Sequence, residues 1–212
     1  MPRTDRLHAW SASLIRHFTL LIFAAIALVP LYFMLTSALK TNAEFLDNQF
    51  GLPAHPVVST LLNSIAGGEL YLWVLNSLIV TVFSVILSTA LAALAAYPIA
   101  MMKWSGGPYV LGVLIALMVI PPIVLVIPLF QIAAATGQLN TYQAVIVIYT
   151  GVLLPFSTFL LTNFFRTIPY ALVEAALMDG AGSWRIFRSI VLPLSGPALA
   201  TVVTVQALWV WN

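Results

Sequence analysis

Arg166-Thr-Ile-Pro-Tyr-Ala-Leu-Val-Glu-Ala-Ala-Leu-Met-Asp-Gly-Ala-Gly-Ser-Trp-Arg-Ile-Phe-Arg-Ser-Ile-Val-Leu-Pro193 is a charged, turn-rich stretch between two strongly apolar ones. Pro169 suits the first turn of a helix, where its missing N–H costs nothing. Leu172, Ala175, Ala176 and Asp179 share one face of that helix, and the alanines leave room for close contact. Asp179-Gly180 predicts its end, because glycine takes the positive φ of a helix terminus without steric cost. Ser183 is placed to cap a second short helix bearing Trp184, Arg185, Phe187 and Arg188. Pro193 and Pro197 mark entry to the next apolar segment. The stretch therefore reads as two short helices joined by a tight turn.

On either side of it, charge disappears. The 212 residues are 62% hydrophobic and 7% charged, against about 25% charged in an average soluble domain. So little charge cannot solvate the surface of a soluble fold, and so apolar a chain is not disordered. A sequence pI near 9.1 arises from eight Lys and Arg against six Asp and Glu. That is scarcity of charge rather than a basic patch, so no nucleic-acid partner is expected. Without cysteine there is no disulfide, thiolate nucleophile or Cys-ligated metal. What remains is an integral membrane protein.

Charge-free runs place its crossings. Phe18 to Leu39 is 22 residues, about 33 Å of helix, which matches a hydrocarbon core of about 30 Å. The run exceeds the apolar region of a signal peptide, so a retained helix is expected. A second helix is expected over 72–100. The run from Trp104 to Phe165 has 62 residues, too many for one crossing. It divides at the turn formers Ala135-Thr-Gly-Gln-Leu-Asn-Thr141 into helices over 109–132 and 142–165. A fifth crossing takes 191–212. Between them lie an N-terminal segment over 1–17, a loop over 40–71 and the two short helices over 166–190. Such lengths exclude barrel strands, and the fold class is all-α, a polytopic helical membrane protein with five apparent crossings. Arg3, Arg6, Arg16, Lys103, Arg166, Arg185 and Arg188 fall on one side and only Lys40 on the other, predicting a cytoplasmic N-terminus and an external 40–71 loop.

Within the spans, Ser84, Ser88, Ala92, Ala96 and Ala100 recur every fourth residue, a small-residue stripe for close helix packing. Pro121-Pro122 and Pro128 predict a kinked or locally unwound third crossing, and Pro155 a weaker disturbance of the fourth. No Asp, Glu, Lys or Arg lies deep in any span, which argues against proton coupling. The neutral polar residues Asn76, Ser77, Thr81, Gln131, Gln143, Thr150 and Gln206 suit either interhelical bonds or an uncharged, hydroxylated solute. Asn76, Gln131 and Gln206 are the candidates for a solute pathway. Resting on lipid headgroups would explain Trp184 and the arginines of the 166–193 stretch. It does not explain Glu174 and Asp179, which sit poorly against an anionic leaflet, so a protein partner is expected there.

Glu174-Ala175-Ala176, Asp179-Gly180-Ala181, Ile190, Leu192-Pro193 and Pro197 resemble the EAA loop of binding-protein-dependent ABC transporter permeases. Leu75-Asn-Ser-Leu-Ile79, Ala95-Ala-Tyr-Pro98, Ile127-Pro-Leu-Phe130, Leu139-Asn-Thr141, Phe164-Phe-Arg-Thr-Ile-Pro169 and Trp211-Asn212 look like its carbohydrate subfamily, of the second maltose permease subunit type. The resemblance implies a type I importer permease fold in a bacterial plasma (inner) membrane. It implies as partners a second permease subunit, a cytoplasmic ABC ATPase dimer and an external solute-binding protein. Glu174, Ala175, Ala176 and Ala181 would belong to the ATPase-docking loop, Asp179 would support its turn and Gly180 would make it. Neither Lys40 nor Lys103 sits in a phosphate-binding loop, so ATP is expected on the partner, with no cofactor or catalytic residue here. The family usually continues past Trp-Asn into another crossing, so a missing last helix is expected. Glycerol phosphate or another small polar solute is the alternative cargo, and a non-transporting remnant the alternative role.

Overall fold

The computed structural model describes residues 3–102 and 104–212, and among these every regular element is helical. Lys103, counted above among the basic residues of one side, lies outside the described residues, as do residues 1 and 2. The helices are α1 (Arg3–Ala38), α2 (Asn42–Asp47), α3 (Val58–Ala66), α4 (Glu69–Met101), α5 (Gly107–Met118), α6 (Pro122–Ala135), α7 (Tyr142–Phe165) and α8 (Tyr170–Met178). They are followed by α9 (Ser183–Leu194) and α10 (Gly196–Trp211). By length and composition three helical stretches could cross a bilayer, Ser13–Ala38, Leu70–Met101 and Tyr142–Phe165, or up to five if two bent helix pairs each count as one span. Residues 1–72 and 73–212 form two compact units.

The first unit is α1 with the loop that follows it. Most apolar side chains of α1 between Leu14 and Leu35, among them Leu21, Phe23 and Ile26, are exposed, which is stable only in an apolar surrounding. The loop folds back on the end of α1. Phe33 packs against Phe45 and Phe50 at centroid distances of 6.1 and 5.6 Å, and the Tyr32 hydroxyl donates to Phe50 O at 3.1 Å. Thr41 caps α2 by accepting from Glu44 N, and Glu44 Oε1 accepts from Ala54 N. Lys40 is buried and its ammonium donates to Asn48 O at 2.6 Å and Gly51 O at 2.7 Å. A buried cation must be paired with acceptors or neutralised. Three carbonyls serve, Gln49 O lying at 3.4 Å.

The second unit is a packed helix assembly. Ser84, Ser88, Ala92 and Ala96 of α4 are completely buried, and Ala92, Ala93, Ala96 and Tyr97 share one apolar core with Leu161, Phe165, Val191 and Val202. Small side chains in register let backbones approach closely, the usual solution where lipid removes the hydrophobic gain of association.

The segment expected as one helix over 109–132 is two, α5 and α6, bent by 98°. Pro122 forces the residue before it out of the helical region, and Pro121 is extended at φ −62°, ψ 132°. Pro128 lies inside α6 without ending it. The α6–α7 turn places Gly137 at φ 66° and Asn140 at φ 58°, after which Thr141 caps α7 by accepting from Ala144 N. A second bend, of 74°, separates α9 from α10. Here Phe187–Val191 form a π-helical turn, and Ser195 N–H is shared between Val191 O and Leu192 O. Pro193 and Pro197 each lack the amide hydrogen a continuous helix would use.

Candidate functional site

The turn between α8 and α9 closes by a defined set of backbone bonds. Asp179 N donates to Ala175 O, Gly180 N to Leu177 O at 3.0 Å and Ala181 N to Ala176 O at 2.9 Å. With Gly180 at φ +76°, this is a Schellman end, which satisfies carbonyls that a helix terminus otherwise leaves open. A Cβ on Gly180 would meet nothing within 4 Å. The requirement for glycine there is therefore conformational and not spatial.

The start of α9 differs from the sequence expectation. Gly182 occupies the cap position with extended backbone and no side-chain cap bond forms. Ser183 is the first helical residue, exposed, and lies beside Tyr97 near the end of α4.

Each short helix has an inward and an outward face. Val173, Ile186, Phe187 and Val191 are buried in the core formed with Tyr97, Phe165 and Ile168. The Phe187 ring lies 5.2 Å from that of Tyr97 and 5.4 Å from that of Trp184. Outward lie Glu174, Ala175, Asp179 and Gly180, all exposed, with Ala176 and Ala181 half-buried between the faces. Ala176, Asp179, Ala181, Arg185 and Ile190 line an open cleft of about 190 Å³. Its floor is small and apolar, while Asp179 and Arg185 supply opposite charges. The loop is fastened on one side and free on the other.

The three candidates for a solute pathway do not come together. Asn76 is exposed and its Oδ1 accepts from the Tyr142 hydroxyl at 2.5 Å. Gln131 is exposed on α6. Gln206 is completely buried: its Nε2 donates to Ser88 Oγ at 3.1 Å and to Ser157 Oγ. Its Oε1 accepts from Thr89 Oγ1 at 3.2 Å. One amide thus joins α4, α7 and α10. Gln206 also borders a cavity of about 610 Å³ among largely apolar side chains, including Pro122, Leu129, Phe156 and Trp209.

Sequence reasoning missed the rest of this polar seam. Ser157, Thr158 and Thr162 of α7 are completely buried, and the hydroxyls of Thr81, Ser84, Thr158 and Thr162 have no hydrogen-bond partner among the described residues. The signal was present in the spacing of Thr158 and Thr162, one turn apart, opposite a helix whose Ser84 and Ser88 are also one turn apart.

Comparison with known proteins brings in the remaining observations. Residues 88–212 match the family described as binding-protein-dependent transport system inner membrane component. The chain is 35% identical to the diacetylchitobiose uptake system permease protein of Streptomyces coelicolor, over 93% of this chain and 66% of that one. It is 35% identical to the melibiose/raffinose/stachyose import permease protein of Bacillus subtilis, over 90% and 69%. It is 32% identical to the osmoprotective compounds uptake permease protein of a Synechocystis strain, over 92% and 68%. The chain thus spans about two thirds of the length of these relatives.

Proposed function

The chain belongs to the family of binding-protein-dependent transport system inner membrane components, and from that premise we propose that it is the multi-pass permease subunit of an ATP-driven sugar importer. A sugar or oligosaccharide delivered by an external binding protein would cross between this chain and a second permease subunit. A cytoplasmic ATPase dimer would bind and hydrolyse the nucleotide. The N-terminus then lies in the cytoplasm of a bacterium, with crossings over 18–39, 72–100, 109–132, 142–165 and 191–212.

One observation carries the coupling assignment. Val173, Ile186 and Phe187 fasten the loop to the core, while Glu174, Ala175 and Asp179 are exposed on its outward face. Such a loop is a rigid contact surface. Bound to the ATPase, it would pass a displacement to α4 and α7 through Tyr97 and Phe165. Glu174, Ala175, Ala176 and Ala181 make the contact, Asp179 and Gly180 the turn.

The sugar reading is supported by the diacetylchitobiose and melibiose/raffinose/stachyose relatives and by spans whose polar groups are neutral. The relative that takes up osmoprotective compounds favours, as a second reading, another small polar solute. An anionic cargo such as glycerol phosphate is disfavoured, because the Lys40 ammonium is already engaged by backbone carbonyls. Among the pathway candidates, Gln206 has the best support, since it borders the large cavity.

The test is reconstitution with the cognate ATPase and binding protein, using Ala175→Cys in this cysteine-free chain. ATP-dependent sugar uptake and a crosslink from position 175 to the ATPase are expected. Crosslinks that reach only lipid would overturn the coupling assignment.

A further inference from the structure

We infer that α3 is an interfacial helix, lying in the headgroup region of the leaflet where α1 ends and α4 begins, with its apolar face in lipid. At about 100° per residue, Val58, Leu62 and Ile65 fall on one side of α3, and Ser59 and Asn63 on the other. Val58, Leu62 and Ile65 are 47%, 57% and 54% exposed, so among the described residues of its own unit that side is left largely uncovered. A helix segregated in this way, and too short to span, is held by burying its apolar face at a membrane surface.

The occupant is fixed by what flanks the helix. α1 carries the candidate span Ser13–Ala38 and α4 the candidate span Leu70–Met101. The connector between them leaves and re-enters the bilayer on the same side. Gly67 and Gly68, the latter at φ +77°, form the turn from α3 straight into α4. Immediately beyond, Tyr71 and Trp73 are exposed on the first turns of α4. Tyr and Trp concentrate at the membrane–water boundary, so they mark the depth at which α4 enters, only a few residues from Ile65. α3 itself carries no charged residue, and Lys40, the nearest lysine, is buried. Apolar burial, not attraction to anionic headgroups, must then hold the helix down. This inference needs only a multi-pass protein and is independent of what the chain transports.

The absence of native cysteine allows a direct test. Single variants Ser59→Cys, Leu62→Cys, Asn63→Cys and Ile65→Cys are spin-labelled in the assembled complex, in vesicles of phosphatidylcholine alone and with added phosphatidylglycerol. Labels at 62 and 65 should collide severalfold more with dissolved oxygen than with a water-soluble nickel chelate. Labels at 59 and 63 should show the reverse, and the pattern should be the same in both vesicles. Free access of the chelate to positions 62 and 65 would overturn the proposal by placing that face in water. Exclusion of both reagents from those positions would overturn it by placing the face against protein. A pattern appearing only with phosphatidylglycerol would overturn the apolar basis of the attachment.

Discussion

Gln206 Nε2 lies 3.1 Å from Ser88 Oγ, a bond between residues 118 positions apart that ties the last helix to the first helix of the second unit. Interhelical hydrogen bonds in membranes contribute about 0.6 kcal/mol on average, with larger single cases. A double-mutant cycle of Gln206→Leu and Ser88→Ala should give a coupling of about 1 kcal/mol, read from unfolding of the purified protein in detergent. Additive effects would mean that the two side chains do not act together.

Gly180 is held at φ +76° with open space around its Cβ position. The left-handed conformation costs an L-residue about 1–2 kcal/mol, and least for Asn, whose side chain can bond locally. Gly180→Asn should therefore retain more ATPase co-purification and transport than Gly180→Val. If the two variants behave identically, the conformation of the turn does not govern coupling.

Glu174 is exposed on the outward face of α8, so its replacement should not disturb folding. Glu174→Lys is expected to insert at normal yield and to lose ATPase co-purification and uptake together. Normal retention of the ATPase by this variant would count decisively against the docking surface.

Lys40 donates to the carbonyls of Asn48 and Gly51. Hydrogen bonds involving a charged group contribute about 1.5–3 kcal/mol. Lys40→Met keeps the stem and removes the donors, and it should expose residues 41–57 to external protease while leaving α1 inserted. Unchanged cleavage rates would show that the loop is held without Lys40, by the Phe33, Phe45 and Phe50 rings and the Tyr32 and Glu44 hydrogen bonds.

Much of this was legible in the sequence, because membranes make charge and backbone accounting strict. A helix in lipid satisfies its own peptide groups, so the helices occupy the charge-poor runs, and the turn at Gly180 follows from the residue type. The 98° bend between α5 and α6 was legible only as a kink at Pro121-Pro122, since proline fixes where a helix breaks and packing fixes how far it turns. Ser183 was misread as a cap because cap propensity is a local tendency, whereas here Gly182, with extended backbone, takes the position before the helix. Ser88 was read as a packing residue and Gln206 as a pathway residue. Both are buried in one polar seam, and only tertiary structure tells a serine that merely fits from one that bonds.

The bend at Ser195 has a mechanical consequence. Its hydroxyl and amide both hold Val191 O, so the elbow is braced from within. A crank with a stiff elbow turns sideways motion of one arm into rotation of the other. Any tug on the arm formed by α9 must twist α10, and Gln206 rides on that shaft.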